Sequence, residues 1–323
     1  MRVARAVRFT DEEPAAVIEV VDVDAPVARP GWSVVDVRAA SLNRHDLWSI
    51  AGVGVTADDL PLPLGSDVAG VTADGREVLV HSLVADPVGG GGDELLDPRR
   101  KLLADAGSGG GLAEQVLVPT RNLVDKPAGL TFEQACCLPT AWLTAYHMLF
   151  VKAALRPGRT VLVQGAGGGV STAVVVLGAA AGLRVWATSR SEEKRARAVE
   201  LGADRAFATG ERLPERVDVV IETVGGATWD HSVRSTKPGG SIVVAGATAG
   251  AVVSTDLNRL FLQHISVIGS AMGRIRDLQD LVSFCVQQRI SPPIDSVFAL
   301  DDAAAAIRRL SDGDAFGKIV VTP

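Results

Sequence analysis

A cluster of glycines near the middle of the chain is the pattern best suited to chemistry. Gly165-Ala166-Gly167-Gly168-Gly169 follows the apolar run Thr160–Gln164 and precedes a small-residue segment, Val170–Ala181. A strand, a glycine turn and a helix together bind the pyrophosphate of a dinucleotide, because amides at the helix start face the anion and glycine lets the backbone approach it. Ser171 stands where a third glycine is usual. The candidate phosphate contacts are Gly165, Gly168, Gly169 and Val170.

The residues after the next apolar run, Leu183–Thr188, indicate which dinucleotide binds. An NAD site usually has a carboxylate at this strand end to hold the ribose hydroxyls. The chain instead has Ser189-Arg190-Ser191-Glu192-Glu193-Lys194, with no carboxylate at the strand end itself. Arg190 can fork onto a 2′-phosphate, and Ser189, Ser191 and Lys194 add donors. This favours NADPH over NADH; the alternative is that Arg190 and Lys194 only begin a solvated helix.

The same region also permits a different interpretation. Residues 160–183 carry no charge, and such a run is long enough to span a bilayer. Six glycines interrupt it, and a full glycine turn falls early in it. A strand–turn–helix unit is therefore favoured over a membrane span.

The elements that must position these residues fall into two patterns. Residues 1–125 contain short apolar runs separated by turn residues, which is typical of a compact barrel-like β domain. From 126 to 294, strands alternate with helices, which predicts a doubly wound parallel sheet. The tail from about 295 has a strand, a short helix and a strand, and most simply returns to the β domain. The fold class is therefore α/β, with two domains.

Composition excludes several classes of protein. The chain has 323 residues, a hydrophobic fraction of 47% and a net charge of −6, so a nucleic-acid role has little electrostatic support. Its three cysteines form no disulfide framework, which suits a reducing compartment. The N-terminal segment lacks the apolar core of a signal peptide. We therefore expect a cytoplasmic protein with a small-molecule substrate.

Taken in order, the motifs of the whole chain resemble those of the medium-chain dehydrogenase/reductase superfamily, and most closely its zinc-free quinone oxidoreductase and enoyl reductase branch. They are SLNRHD at 41–46, PLGSDVAG at 63–70, GLAEQVLVP at 111–119, LPTAWLTAYHML at 138–149, VLVQGAGGGV at 161–170, KPGGSIVVAG at 237–246 and AFGKIVVTP at 315–323. Singly each motif is modest, but their order and spacing are specific.

This resemblance implies a fold and a cofactor site. It implies a GroES-like catalytic domain from residues 1–125 and 295–323, a Rossmann NADPH-binding domain at 126–294, and an active site in the cleft between them. It also implies a homodimer that uses the strand edge at Ser266–Met272. Further cofactor contacts implied by the resemblance are Thr140, Val224, Gly246, Ala247 and Lys318.

Metal-binding members of the superfamily hold a catalytic zinc with Cys, His-Glu and Cys ligands. The matching positions here carry Asn43, Ser66-Asp67 and the segment 138–140. The segment 83–111, where relatives hold a structural zinc, has Gly89–Gly92 in place of cysteines and is expected to be a flexible surface lobe. We therefore expect no zinc at either position.

Without a Lewis-acid metal, hydride transfer to an activated C=C bond fits better than alcohol oxidation. The resulting enolate needs hydrogen-bond donors and a proton. Asn43 offers an amide donor, although a turn asparagine is the alternative. His45 is a candidate acid, against the stronger alternative of an exposed loop histidine. Trp48 offers a stacking surface where relatives often have a tyrosine, and Asp46 is best explained as a local helix cap.

Three functions remain open from the sequence. The first is an NADPH-dependent reductase of quinones or α,β-unsaturated carbonyl compounds. The second is a zinc-independent carbonyl or alcohol oxidoreductase. The third is a non-catalytic NADPH-binding protein.

Overall fold

The computed structural model describes residues 1–107 and 109–323 and contains helices throughout both halves of the chain. In chain order, the α-helices are α1 (Arg44–Ile50), α2 (Phe132–Ala135), α3 (Leu143–Tyr146), α4 (Gly169–Ala180), α5 (Glu192–Glu200), α6 (Trp229–Ser235), α7 (Leu257–Leu262), α8 (Ile275–Gln288) and α9 (Ala303–Asp312). Shorter 3₁₀ turns occupy Pro14–Val17, Ala57–Asp59, Glu94–Leu96, Leu103–Ala106, Thr120–Asn122 and Leu300–Asp302. Two π-helical segments, Leu138–Trp142 and His147–Lys152, flank α3.

The β-strands are short and are distributed along the whole chain. They are β1 (Arg2–Ala6), β2 (Ile18–Asp22), β3 (Trp32–Ser41), β4 (Leu62–Pro63), β5 (Asp67–Thr72), β6 (Glu77–Val80), β7 (Leu83–Val84), β8 (Lys101–Leu102), β9 (Gln115–Pro119), β10 (Leu123–Asp125), β11 (Thr160–Val163), β12 (Arg184–Thr188), β13 (Arg205–Phe207), β14 (Val217–Glu222), β15 (Thr236–Val244), β16 (Ser266–Gly269), β17 (Ile294–Ala299) and β18 (Lys318–Thr322).

The chain divides into two compact units. The first unit is Met1–Ala141 with Arg274–Pro323, and the second unit is Trp142–Gly273. The sequence places these boundaries at 125/126 and 294/295 instead. Helix α8 accounts for part of the difference, because Asp93 and Glu94 of the first unit bind the backbone and side chain at its start, with a 2.6 Å bond from the Ile275 amide to Glu94 Oε1.

The first unit is built on mainly antiparallel sheets, in which β17 and β18 form a parallel pair. Its largest sheet has the order β10-β6-β5-β3-β18-β17, and β9 also pairs with β3. The predicted return of the tail is confirmed, because Val320 in β18 pairs antiparallel with Ser41 in β3. The alternating apolar positions of these strands form one buried core with helix α9. This core holds the ends of β3, β5 and β18 close together.

The second unit is a six-stranded parallel sheet of order β13-β12-β11-β14-β15-β16. In order of appearance within the unit this is 3-2-1-4-5-6, the Rossmann order, in which β11 and β14 mark the switch point where ligands bind. The predicted doubly wound sheet is therefore confirmed. Helix α4 packs on β11 and β12, with valines and small residues buried along its length.

Three local patterns differ from the structure in their bounds. The apolar run 15–21 predicts a strand, but the region begins as the 3₁₀ turn Pro14–Val17, where proline favours a helical start. The sequence Lys-Pro-Gly-Gly at 237–240 predicts a turn, but it is included in β15, with Gly239 at φ +73°. The tail pattern predicts a helix from residue 301, and α9 starts two residues later, after the 3₁₀ turn Leu300–Asp302.

The membrane-span alternative does not match the observed elements. Residues 160–183 form β11, the glycine turn and α4 rather than one helix. Within residues 1–107 and 109–323, no helix has both the length and the apolar character needed to cross a bilayer.

The lobe at 83–111 has internal organisation, with residue 108 lying outside the described residues. The buried carboxylate of Asp97 accepts hydrogen bonds from the backbone amides of Asp86 and Arg99, at 2.6 and 2.9 Å. These bonds hold the pKa of Asp97 below its usual value. A carboxylate therefore ties together the two sides of the loop that was expected to be flexible.

Candidate functional site

Helix α1 positions the candidate residues of the first unit. Asn43 is its N-cap residue, and the Asp46 carboxylate accepts hydrogen bonds from the amides of Asn43 and Gly65, at 2.7 and 3.0 Å. Burial raises the pKa of Asp46, although these two amides oppose the shift. Asp46 thus serves as the local cap that its N-x-x-D spacing predicts.

A buried polar cluster lies beside the start of this helix, and we call it the Lys318 cluster: Ser41, Asn43, Asp67, Ser82 and Lys318. The Lys318 ammonium donates to the carbonyl of Leu42 at 2.6 Å, to Asn43 Oδ1 at 2.7 Å and to Asp67 Oδ2 at 3.2 Å. All three of its protons therefore have oxygen partners. The sequence places Lys318 among the cofactor contacts, whereas these partners lie within the first unit.

The carboxylate of Asp67 is the acceptor at the centre of the Lys318 cluster. Oδ2 accepts from the Ser41 hydroxyl and from Asn43 Nδ2, both at 2.8 Å, and Oδ1 accepts from Ser82 at 3.0 Å. The predicted cofactor contact Thr140 donates to the Ser82 hydroxyl at 3.2 Å. Asp67 and Lys318 are fully buried, so the pair depends on these bonds to offset its desolvation.

His45 and Trp48 lie on one face of α1, three residues apart. His45 Nε2 is 3.1 Å from Asp105 Oδ2, and Nδ1 is 3.3 Å from the Ser49 hydroxyl. Burial lowers the pKa of His45, but the hydrogen bond and charge of Asp105 outweigh it, and the pKa is raised. Trp48 is 39% exposed and meets the His45 ring edge-on at 6.5 Å between centroids. His45 is thus a paired helix residue, not an exposed loop histidine.

The side chains at the expected metal-ligand positions do not fit zinc. Asn43 and Asp67 are engaged by the Lys318 ammonium, which would repel a second cation at the same oxygens. The thiols of Cys136 and Cys137 both donate to the Glu133 carbonyl. Burial, followed by the neighbouring Cys137, raises the pKa of Cys136 well above its usual value, which disfavours the thiolate that zinc requires.

Across residues 1–107 and 109–323, no group of three or more His, Cys, Asp or Glu side chains is arranged to hold a metal ion.

The glycine turn of the second unit has the geometry of a phosphate cradle. Gly165 and Gly167 have φ of +80° and +116°, which other residues adopt only with strain. Gly168 is the exposed N-cap of α4 and offers no side chain to cap the helix amides, so those amides remain free to meet an anion. A Cβ on Gly165 would lie 3.1 Å from Val224, so the turn and the loop after β14 touch. Gly167 was not singled out from the sequence.

The residues after β12 form a second polar loop. Ser191 caps α5 by accepting the Lys194 amide at 3.2 Å, and the Ser189 hydroxyl accepts the Ser191 amide at 3.2 Å. Arg190 is exposed. The guanidinium of Arg195, a residue that no sequence motif marks, donates to the Ser189 carbonyl at 2.8 Å and steadies the loop. These groups fit a phosphate, since the loop carries cationic and hydroxyl donors and no carboxylate at the strand end.

The remaining predicted contacts of the second unit lie on two adjoining loops. The amide of Ala249 donates to the Val224 carbonyl at 2.7 Å, and the amide of Ala245 donates to the Glu222 carbonyl at 3.0 Å. Gly246 and Ala247 lie between these two bonds. The structure therefore brings the predicted residues 165–170, 189–194, 224 and 246–247 to the carboxyl ends of neighbouring parallel strands, where dinucleotides bind in this fold.

Comparison with known proteins agrees with this architecture. Residues 29–128 match the family described as alcohol dehydrogenase GroES-like domain, and residues 169–287 match the family described as zinc-binding dehydrogenase. The 2-methylene-furan-3-one reductase of Solanum lycopersicum is 31% identical over 320 residues, covering 95% of this chain and 76% of the relative. The crotonyl-CoA reductase of Streptomyces avermitilis is 27% identical over 354 residues, covering 92% and 80%.

A solved structure described as an NAD-dependent alcohol dehydrogenase superposes with a TM-score of 0.91 at 32% identity, covering 100% of both chains. The fold, the two family matches and these relatives show that the chain belongs to the medium-chain dehydrogenase/reductase superfamily. It is an oxidoreductase of that superfamily, with a GroES-like domain and a Rossmann domain.

Proposed function

We propose that the protein is an NADPH-dependent, zinc-independent reductase of α,β-unsaturated carbonyl compounds or quinones. The observation that carries this proposal is the Lys318 cluster, in which Asn43 and Asp67 at the expected metal-ligand positions already bind a buried ammonium. A substrate hydroxyl in such a site has no metal to lower its pKa, whereas an activated C=C bond needs none. Two relatives support this choice, since their names describe reductases of unsaturated carbonyl compounds.

The second unit supplies the residues that would bind the cofactor. The free amides at the start of α4 suit the pyrophosphate, and Arg190 with Ser191 and Lys194 suits a 2′-phosphate. NADPH, when bound, supplies the hydride. The chain's own task is to hold it by both phosphate groups, so that the binding energy orients the reacting ring.

Residues of the first unit are suited to stabilise the charge that reduction creates. As hydride adds to the β carbon of an enone, the C=C electron pair shifts to the bond between the α carbon and the carbonyl carbon, and the C=O pair moves to the oxygen. The resulting enolate then takes a proton at the α carbon. Asn43 donates one amide N–H to Asp67, and its amide oxygen accepts from Lys318. Its second amide N–H is suited to donate to the enolate oxygen of the substrate. The raised pKa of His45 keeps its imidazole protonated closer to neutral pH, which suits a proton donor.

The Trp48 ring is suited to the apolar part of the substrate. It is 39% exposed, with its edge supported by His45, and such an aromatic surface suits a planar quinone or a conjugated enone. A cytoplasmic homodimer is the setting in which we expect this reaction.

The experiment that tests the proposal is initial-rate oxidation of NADPH by protein stripped of metal with a chelator. A para-quinone, a small enone and an enoyl-CoA thioester would be run as parallel acceptors, with NADH as the cofactor control. We expect turnover of at least one acceptor, a preference for NADPH, and no increase when zinc is restored. Activity that appears only after zinc is added would refute the zinc-independent part.

The alternative function is alcohol or carbonyl oxidoreduction, which the similarity to an NAD-dependent alcohol dehydrogenase favours. Primary and secondary alcohols with NAD⁺ and NADP⁺, assayed in parallel, separate the two. Alcohol oxidation without turnover of any C=C or quinone acceptor would select the alternative.

A further inference from the structure

A chain of buried hydrogen bonds lies behind the glycine turn and is not explained by the residues already discussed. It begins at the turn itself, where the Gly165 amide donates to the Thr188 hydroxyl at 3.2 Å. Thr188 in turn donates to Gln164 Oε1 at 2.7 Å. Gln164 and Thr188 are fully buried at the ends of β11 and β12. These first two hydrogen bonds therefore link the glycine turn to strand β12, which leads into the loop that contains Arg190.

The amide nitrogen of Gln164 continues the series of hydrogen bonds to a carboxylate. Gln164 Nε2 donates to the Ser232 hydroxyl at 2.9 Å, and Ser232 donates to Glu222 Oε2 at 2.6 Å. We call this series the Gln164 relay: Thr188, Gln164, Ser232 and Glu222. Each hydroxyl accepts once and donates once, so every bond points towards Glu222.

Glu222 fixes the loop that follows β14. Its Oε1 accepts the amides of Val224 and Gly225 at 2.8 and 3.0 Å, and it also accepts the Thr228 hydroxyl at 2.9 Å. Glu222 is fully buried, so its carboxylate replaces water with these partners. The far end of the relay is thereby anchored to the loop that contains the predicted cofactor contact Val224.

His231 adds a branch at the middle of the relay. Its Nδ1 is 2.9 Å from Gln164 Nε2, and its Nε2 is 2.8 Å from the Glu211 carbonyl. Both contacts are satisfied when Nδ1 accepts and the Nε2 proton is donated. This arrangement fixes the orientation of the Gln164 amide, with its oxygen towards Thr188.

We infer that Gln164 and Glu222 are positioning residues for the dinucleotide, because the Gln164 relay holds three cofactor loops in register without touching the cofactor. This inference rests on the proposed NADPH site. A ligand that must contact residues 165–170, 189–194 and 224 together binds tightly only when the three loops are already aligned. Cutting the relay would leave each loop formed but free to shift relative to the others.

The test uses two serines of α6 that differ in their partners. Ser232→Ala removes a link of the relay, whereas Ser235→Ala removes a buried hydroxyl whose partner is His231, at 3.3 Å. Binding of NADPH and of the fragment 2′,5′-ADP would be measured by titration calorimetry on the full chain. The fragment carries a 2′-phosphate for the 189–194 loop and a 5′-phosphate for the glycine turn, so it reports the alignment of those two loops, which Ser232→Ala leaves linked through Thr188 and Gln164. Gln164→Met cuts the relay from the other side, and is the second variant should Ser232→Ala fail to fold.

We expect Ser232→Ala to weaken NADPH binding about tenfold, the size expected from one lost buried hydrogen bond. We expect 2′,5′-ADP binding to change less than twofold, and Ser235→Ala to change neither. Ser232→Thr, which keeps the hydroxyl, should restore NADPH affinity. Equal losses for NADPH and the fragment, or no loss of NADPH affinity, would overturn the inference. Wild-type protein that binds 2′,5′-ADP but not NADPH would overturn it too, and wild-type protein that binds neither would refute the proposed cofactor itself.

Discussion

The buried ion pair between Asp67 and Lys318 gives the sharpest test of a single residue. Asp67→Asn keeps the shape of the side chain but leaves the Lys318 ammonium without its counter-charge in a fully buried position. Removing one partner of such a pair costs about 3–5 kcal/mol. We therefore expect urea unfolding to show a loss of that order in the free energy of unfolding of the first unit.

Asp125→Asn is the matched control for this substitution. Asp125 pairs with Arg76 at 2.6 Å, but its side chain is 79% exposed. Exposed pairs contribute about 0–1 kcal/mol, so this variant should unfold almost as the wild type does. Equal losses in the two variants would show that burial does not set the strength of the Asp67 pair.

His45 provides a pH-dependent prediction. Its pKa in the folded protein is raised, since burial is outweighed by Asp105, so protonation favours the folded state. This stabilisation is fully present below the unfolded pKa of about 6.5 and is lost as pH rises through the folded value. We expect the difference in melting temperature between wild type and His45→Gln to be largest near pH 6 and to shrink by pH 8.5.

The control for this pH profile is the same substitution in an Asp105→Asn background, where the side chain 3.1 Å from His45 Nε2 has lost its charge. The His45→Gln difference should depend much less on pH in that background if the effect belongs to the His45–Asp105 pair. A His45→Gln difference that grows with pH would contradict the sign of the shift.

At the scale of residues, the sequence predicts identity better than partners. The N-x-x-D spacing predicts the cap made by Asp46 because both ends of that bond lie within one turn. Lys318 and Asp67 are separated by 251 positions, and no local pattern brings them together. The same holds for Gln164 and Ser232, although a glutamine at the end of an apolar strand is a signal that a buried amide needs partners.

At the scale of elements, the packing of helix α4 on strand β12 explains one of the glycines. Gly178→Ala would raise helix propensity by about 1 kcal/mol. A Cβ there, however, would lie 2.7 Å from Cγ2 of Val185, and overpacking of this kind costs about 1–3 kcal/mol. We expect the cost of overpacking to exceed the gain in helix propensity, so calorimetry should show a lower melting temperature for the second unit.

Gly129→Ala is the control, because a Cβ at this position meets no heavy atom within 4 Å. It should leave the melting temperature unchanged or slightly higher. A stabilised Gly178→Ala protein would show that α4 can move away from β12 at little cost.

Helices and strands were predictable where a local periodicity or capping pattern defines them. They were less predictable where tertiary contacts determine which unit an element packs with. Thr131 followed three residues later by Gln134 has the spacing of a capping box, and both of its bonds are present, at 3.1 and 3.2 Å. Helix α8 lies within the segment 126–294 that the sequence assigns to the nucleotide domain. Asp93 and Glu94 bind the first turn of this helix, and the helix belongs to the first unit. These contacts join residues 181 positions apart, so no sequence spacing predicts them.

At the scale of the molecule, the parallel arrangement of the strands in the second unit was the best predicted feature. Alternating strands and helices predict a parallel sheet because each helical crossover returns the chain to the same end of the sheet, so that the next strand runs in the same direction. The observed order β13-β12-β11-β14-β15-β16 leaves β16 as an edge strand. That edge, with its unpaired backbone groups, is where the predicted homodimer would form.

The surface near this edge suits a second copy of the chain. Val267 in β16 is 47% exposed, and Leu257, Phe261 and Leu262 of α7 are also exposed. Apolar side chains beside an unpaired strand are typical of an interface rather than of a free surface. Val267→Lys would place a charge on the edge, which opposes pairing between strands. We therefore expect light scattering to give a mass of twice 33.6 kDa for the wild type and a shift towards 33.6 kDa for the variant.

Val297→Lys is the matched control, because Val297 is 53% exposed on β17, an edge strand of the largest sheet in the first unit. The same charge at that edge should leave the dimer intact if β16 forms the interface. A monomeric wild-type protein, or a dimer that survives Val267→Lys and dissociates with Val297→Lys, would place assembly elsewhere. In the predicted dimer, pairing of the β16 edges would join two six-stranded sheets across a two-fold axis and cover the apolar residues of α7. Loss of the dimer should therefore expose these residues and increase aggregation at high protein concentration.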